Sequence, residues 1–113
     1  MKIEHNGTLM RVYLSQSHRR SRTELYRLIV EAMASAGIAG ASAFLGIEGY
    51  GSHRYISSEN SADAFVDLPI LIEAVDDDEK IRAFLPALEQ LLEDGLVTLE
   101  RVQTIVYRSG DGA

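Results

Sequence analysis

The chain contains no cysteine at all among its 113 residues. That absence excludes a disulfide scaffold, thiolate metal sites and a cysteine nucleophile, and it suits a reducing compartment. The segment from Met1 to Gly7 is polar and lacks an apolar h-region, so no secretory signal is expected. No apolar run approaches the roughly 20 residues needed to cross a bilayer. The expectation is a soluble, cytoplasmic protein with no direct membrane insertion. Catalytic signatures are missing too. There is no Gly-x-Ser-x-Gly elbow and no His-Glu-x-x-His pair, and no serine stands beside an evident base and orienting acid. The reading is therefore of a protein that is not an enzyme. His5, His18 and His53 are scattered without short metal-ligand spacing. His53 with Glu48 or Glu59 is the one metal idea the pattern offers. An exposed loop histidine is the plainer explanation, and no metal is expected.

Charge of one sign is also scarce. Eleven basic residues face seventeen acids, a formal net charge of −6. Overall acidity argues against a nucleic-acid partner, whose polyphosphate the whole field would repel. The charge is uneven. Arg11, Arg19, Arg20, Arg22 and Arg27 lie close in sequence with only Glu24 opposing them. Between Glu59 and Asp94 there are eleven acids and two bases, Lys80 and Arg82. The two ends of the molecule are thus expected to meet different partners.

What is present is the patterning of one domain. Met10, Val12 and Leu14 alternate with Leu9, Arg11 and Tyr13, predicting a strand over 8–14. Ser21-Arg-Thr-Glu24 forms a capping box. Leu25, Leu28, Ile29, Ala32, Met33 and Ala36 then fall on one helical stripe, and Gly37 is the natural residue just past the helix end. Ala39 to Ile47 reads as a second strand. Residues 48–64, rich in Gly, Ser, Asn and charge, make a loop long enough to be functional or mobile. Asp67 to Val75 is a third strand, and its unbroken Ile70-Leu71-Ile72 suggests burial on both faces. Asp76 to Glu79 place acid at a helix start. Ile81, Phe84, Leu85, Leu88, Leu91 and Leu92 form a second stripe, interrupted by Pro86. A last strand is expected over 101–107, with a frayed tail from Arg108.

The order β-α-β-β-α-β predicts an α+β, ferredoxin-like split β-α-β domain, with a four-stranded antiparallel sheet and two helices on one face. The second sheet face then needs a cover. Tyr13, Phe44, Ile105 and Tyr107 look too apolar to leave it wet, since burying each stabilises by roughly 1.5–3 kcal/mol. Self-association through that face is expected.

Four stretches carry a family resemblance. They are Arg-Val-Tyr-Leu-Ser (11–15), Gly-Ile-Ala-Gly-Ala-Ser-Ala-Phe-Leu-Gly-Ile-Glu-Gly-Tyr-Gly (37–51), Asp-Leu-Pro-Ile-Leu-Ile-Glu (67–73) and Leu-Glu-Asp-Gly-Leu-Val-Thr-Leu-Glu-Arg-Val (92–102). In that order and spacing the chain, over roughly residues 8–107, resembles the domain-of-unknown-function 190 family of the PII-like superfamily. The resemblance implies a homotrimer with its sheets toward the axis. It also implies an adenine nucleotide (AMP, ADP or ATP) in the clefts between subunits. Residues 48–64 would be a T-loop that contacts a target protein, such as a membrane transporter or channel. Glu48-Gly49-Tyr50-Gly51 resembles the glycine-aromatic-glycine base of that loop. The chain departs from the pattern at 93–97. There PII proteins carry a glycine- and lysine-rich phosphate loop, and this chain has one glycine, no lysine and two acids. A polyphosphate there would meet like charge, whereas a monophosphate or another pose is compatible.

The candidate ligand residues are Arg19, Arg20, Arg22, Gly46, Gly49, Tyr50, Gly51 and Arg54. The arginines at 19, 20 and 22 sit at or just before a helix N-terminus, where free amides favour anions and the guanidinium fork suits phosphate. Gly46, Gly49 and Gly51 let backbone approach a ligand or turn sharply. Two further readings stay open: a small enzyme with an intersubunit active site, and a structural or metal-binding trimer without nucleotide.

Overall fold

The computed structural model describes residues 1–14, 21–50, 57–58 and 69–109. Strand β1 runs Lys2–Leu14, helix α1 Arg22–Ser35 and strand β2 Ala41–Leu45. A two-residue ladder joins β3 (Glu48–Gly49) to β4 (Ser57–Ser58). Strand β5 is Ile70–Asp76, helix α2 Asp78–Leu91 and strand β6 Gly95–Tyr107. The main sheet has the order β2-β5-β1-β6 with every neighbour antiparallel. This is the ferredoxin-like α+β arrangement expected.

Period-two alternation places Met10, Val12 and Leu14 of β1 and Ile70, Ile72 and Ala74 of β5 on one face, all buried. Helix α1 lays Leu25, Ile29 and Met33 on that face, and α2 adds Ile81, Phe84 and Leu88. These residues form one core. Helix α1 starts as its sequence directs: Ser21 is the N-cap and its hydroxyl accepts from the Glu24 amide at 3.1 Å. It ends in a Schellman motif. Ile38 donates to the Met33 carbonyl and Gly37, at φ +79°, to that of Ala34, both at 3.1 Å. Helix α2 runs through Pro86 to Leu91. Proline has no amide to donate, so the Arg82 carbonyl goes without its ladder bond.

Three expectations need correction. Strand β5 is central but alternates: Leu71, Glu73 and Val75 are only half-buried and belong to the second face. Strands β1 and β6 each begin six residues earlier than their patterns suggest, and pair continuously from Lys2↔Tyr107 to Leu14↔Gly95. Because β5 pairs only with Thr8–Leu14, the stretch Lys2–Gly7 with its β6 partners leaves the sheet as a two-stranded arm. The third correction concerns Tyr13, Phe44, Ile105 and Tyr107. Register parity puts Tyr13 and Phe44 on the open face of the sheet. Ile105 and Tyr107 lie on the opposite face, in the arm. The tail beyond Ser109 lies outside the described residues.

Candidate functional site

The open face is organised in rows. Phe44, Leu71, Tyr13 and Leu96 are aligned across all four strands. Phe44, Tyr13 and Leu96 keep 49%, 41% and 59% of their surface exposed. The next row is polar: Ser42, Glu73, Arg11 and Thr98. In it the Arg11 Nε donates to Glu73 at 2.8 Å, and Nη1 lies 3.6 Å from Glu100. The Glu73 hydrogen bond holds the Arg11 guanidinium still more firmly protonated than a free arginine. Arg11 therefore belongs to a cross-strand ion triplet.

The apolar row forms one wall of a groove of about 680 Å³ at the end of the sheet. Of the sequence-predicted ligand residues, Arg22, Gly46, Gly49 and Tyr50 all line this groove. Arg22 opens α1, is buried, and its Nε donates to the Leu14 carbonyl at 3.1 Å. The bond ties the helix start to the end of β1, so this guanidinium shapes the groove floor as well as charging it. Gly46 donates to the Pro69 carbonyl at 2.7 Å. A β-carbon at Gly46 would stand 2.7 Å from the Pro69 ring, and one at Gly49 3.2 Å from it. Close approach to Pro69 explains both glycines; neither has positive φ. Tyr50 is 69% exposed at the point where β3 ends. Arg19, Arg20, Gly51 and Arg54 lie outside the described residues. In sequence they follow closely on Leu14 and Tyr50, two residues of the groove lining.

Sequence reasoning missed Leu71, Leu96 and Glu48 as groove residues. The only signal for the first two is the strand register, which a single sequence does not print. Glu48 was legible as part of the loop base. A second groove, of about 690 Å³, lies toward the arm and mixes His5, Glu73, Asp77, Lys80 and Arg108. Its acids are largely committed. The buried Asp76 carboxylate accepts from the amides of Ala39 and Asp77 at 2.9 and 2.7 Å, and His5 lies 3.3 Å from Asp77. Among the described residues no three His, Cys, Asp or Glu side chains converge to hold a metal ion. No described helix is long and apolar enough to cross a membrane.

Comparison with known proteins agrees with this architecture. The family described as DUF190, Uncharacterized ACR, matches residues 7–104. A UPF0166 protein of Aquifex aeolicus (strain VF5) is 31% identical over 97 residues, covering 86% of this chain and 91% of the relative. A second UPF0166 protein of that organism is 34% identical over 95 residues, covering 84% and 93%. Among solved structures, CPII of Thiomonas intermedia K12 is a nitrogen regulatory PII-like protein bound to ADP, AMP and bicarbonate. It superposes with a TM-score of 0.61 at 19% identity, covering 90% of this chain and 91% of that one. A PII-like signaling protein of Thermus thermophilus gives 0.62 at 17% identity, covering 97% and 98%. At these identities the structures speak for the fold, and the sequence match speaks for the family. The chain belongs to the DUF190 family and has the PII-like form of the ferredoxin-like fold.

Proposed function

We propose that this chain is a regulatory protein, not an enzyme, that binds an adenine nucleotide in the groove beside the Phe44–Leu96 row. It acts as a homotrimer in the cytoplasm, each groove being closed by a neighbouring subunit, and signals to a target protein through residues 48–64. A membrane transporter or channel is the kind of target intended. The observation that carries the reading is convergence. Residues distant in sequence, Arg22 from the first helix and Gly46, Gly49 and Tyr50 from the base of the long loop, border one concave site. Aromatic and aliphatic walls suit a base ring, and an arginine at a helix start suits a phosphate. The family's fold neighbour CPII is bound to ADP and AMP, which supports this ligand class. Ligand binding at the β3–β4 base would bias the loop by differential affinity for its states.

The test is calorimetric titration with AMP, ADP and ATP, alongside thermal unfolding. A nucleotide that binds the native state raises the melting temperature by mass action. AMP is expected to bind more tightly than ATP, because Glu93 and Asp94 stand where PII proteins place lysine. Tyr50→Ala, losing a stacking partner worth about 1–3 kcal/mol, should weaken binding about tenfold or more. No heat and no shift with any of the three at millimolar concentration overturns the reading.

A further inference from the structure

The groove beside the Phe44–Leu96 row holds two opposite charges. Among its described lining residues Arg22 is the one cation and Glu48 the one carboxylate; the others are apolar, aromatic or glycine. Glu48 opens β3, and its backbone pairs with Ser58. Among the described residues no hydrogen bond or ion pair engages its side chain. For an anionic ligand such an acid is a cost, because it repels the phosphate that Arg22 attracts. A carboxylate offers acceptors only, so it suits this groove when the ligand brings donors to it. An adenine nucleotide carries donors in two places. The ribose hydroxyls lie next to the phosphate, and the base amine lies at the far end. The fold places the two charges at adjacent strand ends. Arg22 is tied to the end of β1 by its bond to the Leu14 carbonyl at 3.1 Å. Glu48 lies between Gly46 and Gly49, which both pack on Pro69, the residue before β5. β5 and β1 are neighbours in the sheet, about 4.8 Å apart. A phosphate at Arg22 therefore brings the sugar, and not the base, to Glu48.

We infer that the Glu48 carboxylate accepts hydrogen bonds from the ribose 2′- and 3′-hydroxyls of the nucleotide, and so selects ribonucleotides by their vicinal diol. The inference rests on the proposal that this groove binds an adenine nucleotide. Two neighbouring hydroxyls present two donors to the two carboxylate oxygens, and such charge-assisted bonds are roughly twice as strong as neutral ones. The pairing of an acid with a ribose hydroxyl recurs in dinucleotide-binding folds. With the phosphate at β1 and the sugar at β5, the base falls toward β2, the next strand in the sheet. There Phe44 and Tyr50, both exposed, offer it aromatic faces. A site built to hydrogen-bond a hydroxyl rejects the analogue that lacks it, because its polar group is left unpaired. Glu48 thereby turns an electrostatic cost into a specificity.

Calorimetric titration of the unmodified chain and of Glu48→Ala tests this, with AMP, 2′,3′-dideoxy-AMP and inosine monophosphate as ligands. The unmodified chain should bind AMP about tenfold or more tightly than the dideoxy form, the worth of hydrogen bonds to a charged group. Glu48→Ala should bring AMP down to the level of the dideoxy form. It should leave the dideoxy form no weaker, since the phosphate loses a repelling neighbour; that retained binding also shows the variant to be folded. Inosine monophosphate keeps the diol but has oxygen in place of the base amine, so its ratio to AMP should be the same in both chains. Equal affinity of the unmodified chain for AMP and dideoxy-AMP overturns this inference and leaves the nucleotide proposal standing. So does an equal loss of both ligands in Glu48→Ala. A preference for AMP over inosine monophosphate that vanishes in Glu48→Ala would put the acid on the base amine and overturn it too. No binding of AMP to the unmodified chain overturns the nucleotide proposal and this inference together.

Discussion

Leu71 and Ile72 are neighbours on one strand, yet they belong to different problems. Ile72 points under the helices and is wholly buried; Leu71 points to the open face and is half-covered. The inner face is closed by the chain's own α1 and α2. The outer face carries a four-strand apolar row beside an ion triplet, and no described helix covers it. One sequence therefore specifies a face closed by its own helices and a face that its own described elements leave open.

The sharpest way to break that contrast is to truncate each neighbour in turn. Ile72→Ala removes a buried side chain from the packed face and should cost about 2–5 kcal/mol at any protein concentration. Leu71→Ala should cost little in an isolated subunit. If sister copies cover the open face, its effect grows with protein concentration, because the stability of an assembled chain depends on mass action. Urea unfolding at two concentrations, micromolar and a hundredfold higher, separates the cases. A Leu71→Ala loss that is equally small at both would mean that the open face stays wet and the trimer reading fails.

A second contrast sits in the glycines. Gly46 packs against Pro69 at the groove rim, whereas a β-carbon at Gly40 would meet nothing within 4 Å. Gly46→Ala forces the ring of Pro69 or the β2 end to move and should destabilise by about 1–3 kcal/mol, with any nucleotide affinity falling alongside. Gly40→Ala should instead stabilise by about 0.4–1 kcal/mol through the unfolded chain. Equal melting temperatures for the two variants would show that the Gly46–Pro69 contact does not hold the groove.

Much of the inner face was legible in sequence because its signals are local. The Ser21 capping box, the Leu25–Ile29–Met33 stripe and the Gly37 stop each lie within a few residues and follow from helix chemistry alone. The early starts of β1 and β6 were not legible. Lys2–Gly7 and Gly95–Glu100 are too polar or mixed to alternate clearly, and they become strands because each finds its hydrogen bonds far along the chain, Lys2–Gly7 against Val102–Tyr107 and Gly95–Glu100 against Leu9–Leu14. For the site, the glycine-aromatic-glycine motif pointed to Gly49 and Tyr50, the glycine group around the loop start to Gly46, and helix-start reasoning to Arg22. That these four border one groove with Leu71 and Leu96 depends on register between strands far apart in sequence, which local patterning does not encode. Grouping Ile105 and Tyr107 with Tyr13 failed for the same reason: face assignment needs the partner strand.

The smallest expected effect tests how the inner face is sealed where α2 begins. The Thr8 hydroxyl donates to the Asp78 carboxylate at 2.8 Å, and Arg82 donates to the other oxygen at 2.9 Å. The Thr8 bond first, and Arg82 second, hold the Asp78 pKa below the ordinary carboxylate range. A folded-state pKa below the unfolded one gives stability that is fully present above the unfolded value, about 4. That stability is lost as pH falls through the folded value. Thr8→Val keeps the shape and removes the donor. The Asp78 titration followed by carboxyl NMR should then move upward, and the gap between parent and variant stability should be constant near neutrality and narrow in acid. A gap that instead widened below pH 4 would mean that the ionised carboxylate is not the favoured partner of Thr8, and that the charge at this helix start is incidental to how the helices close the sheet.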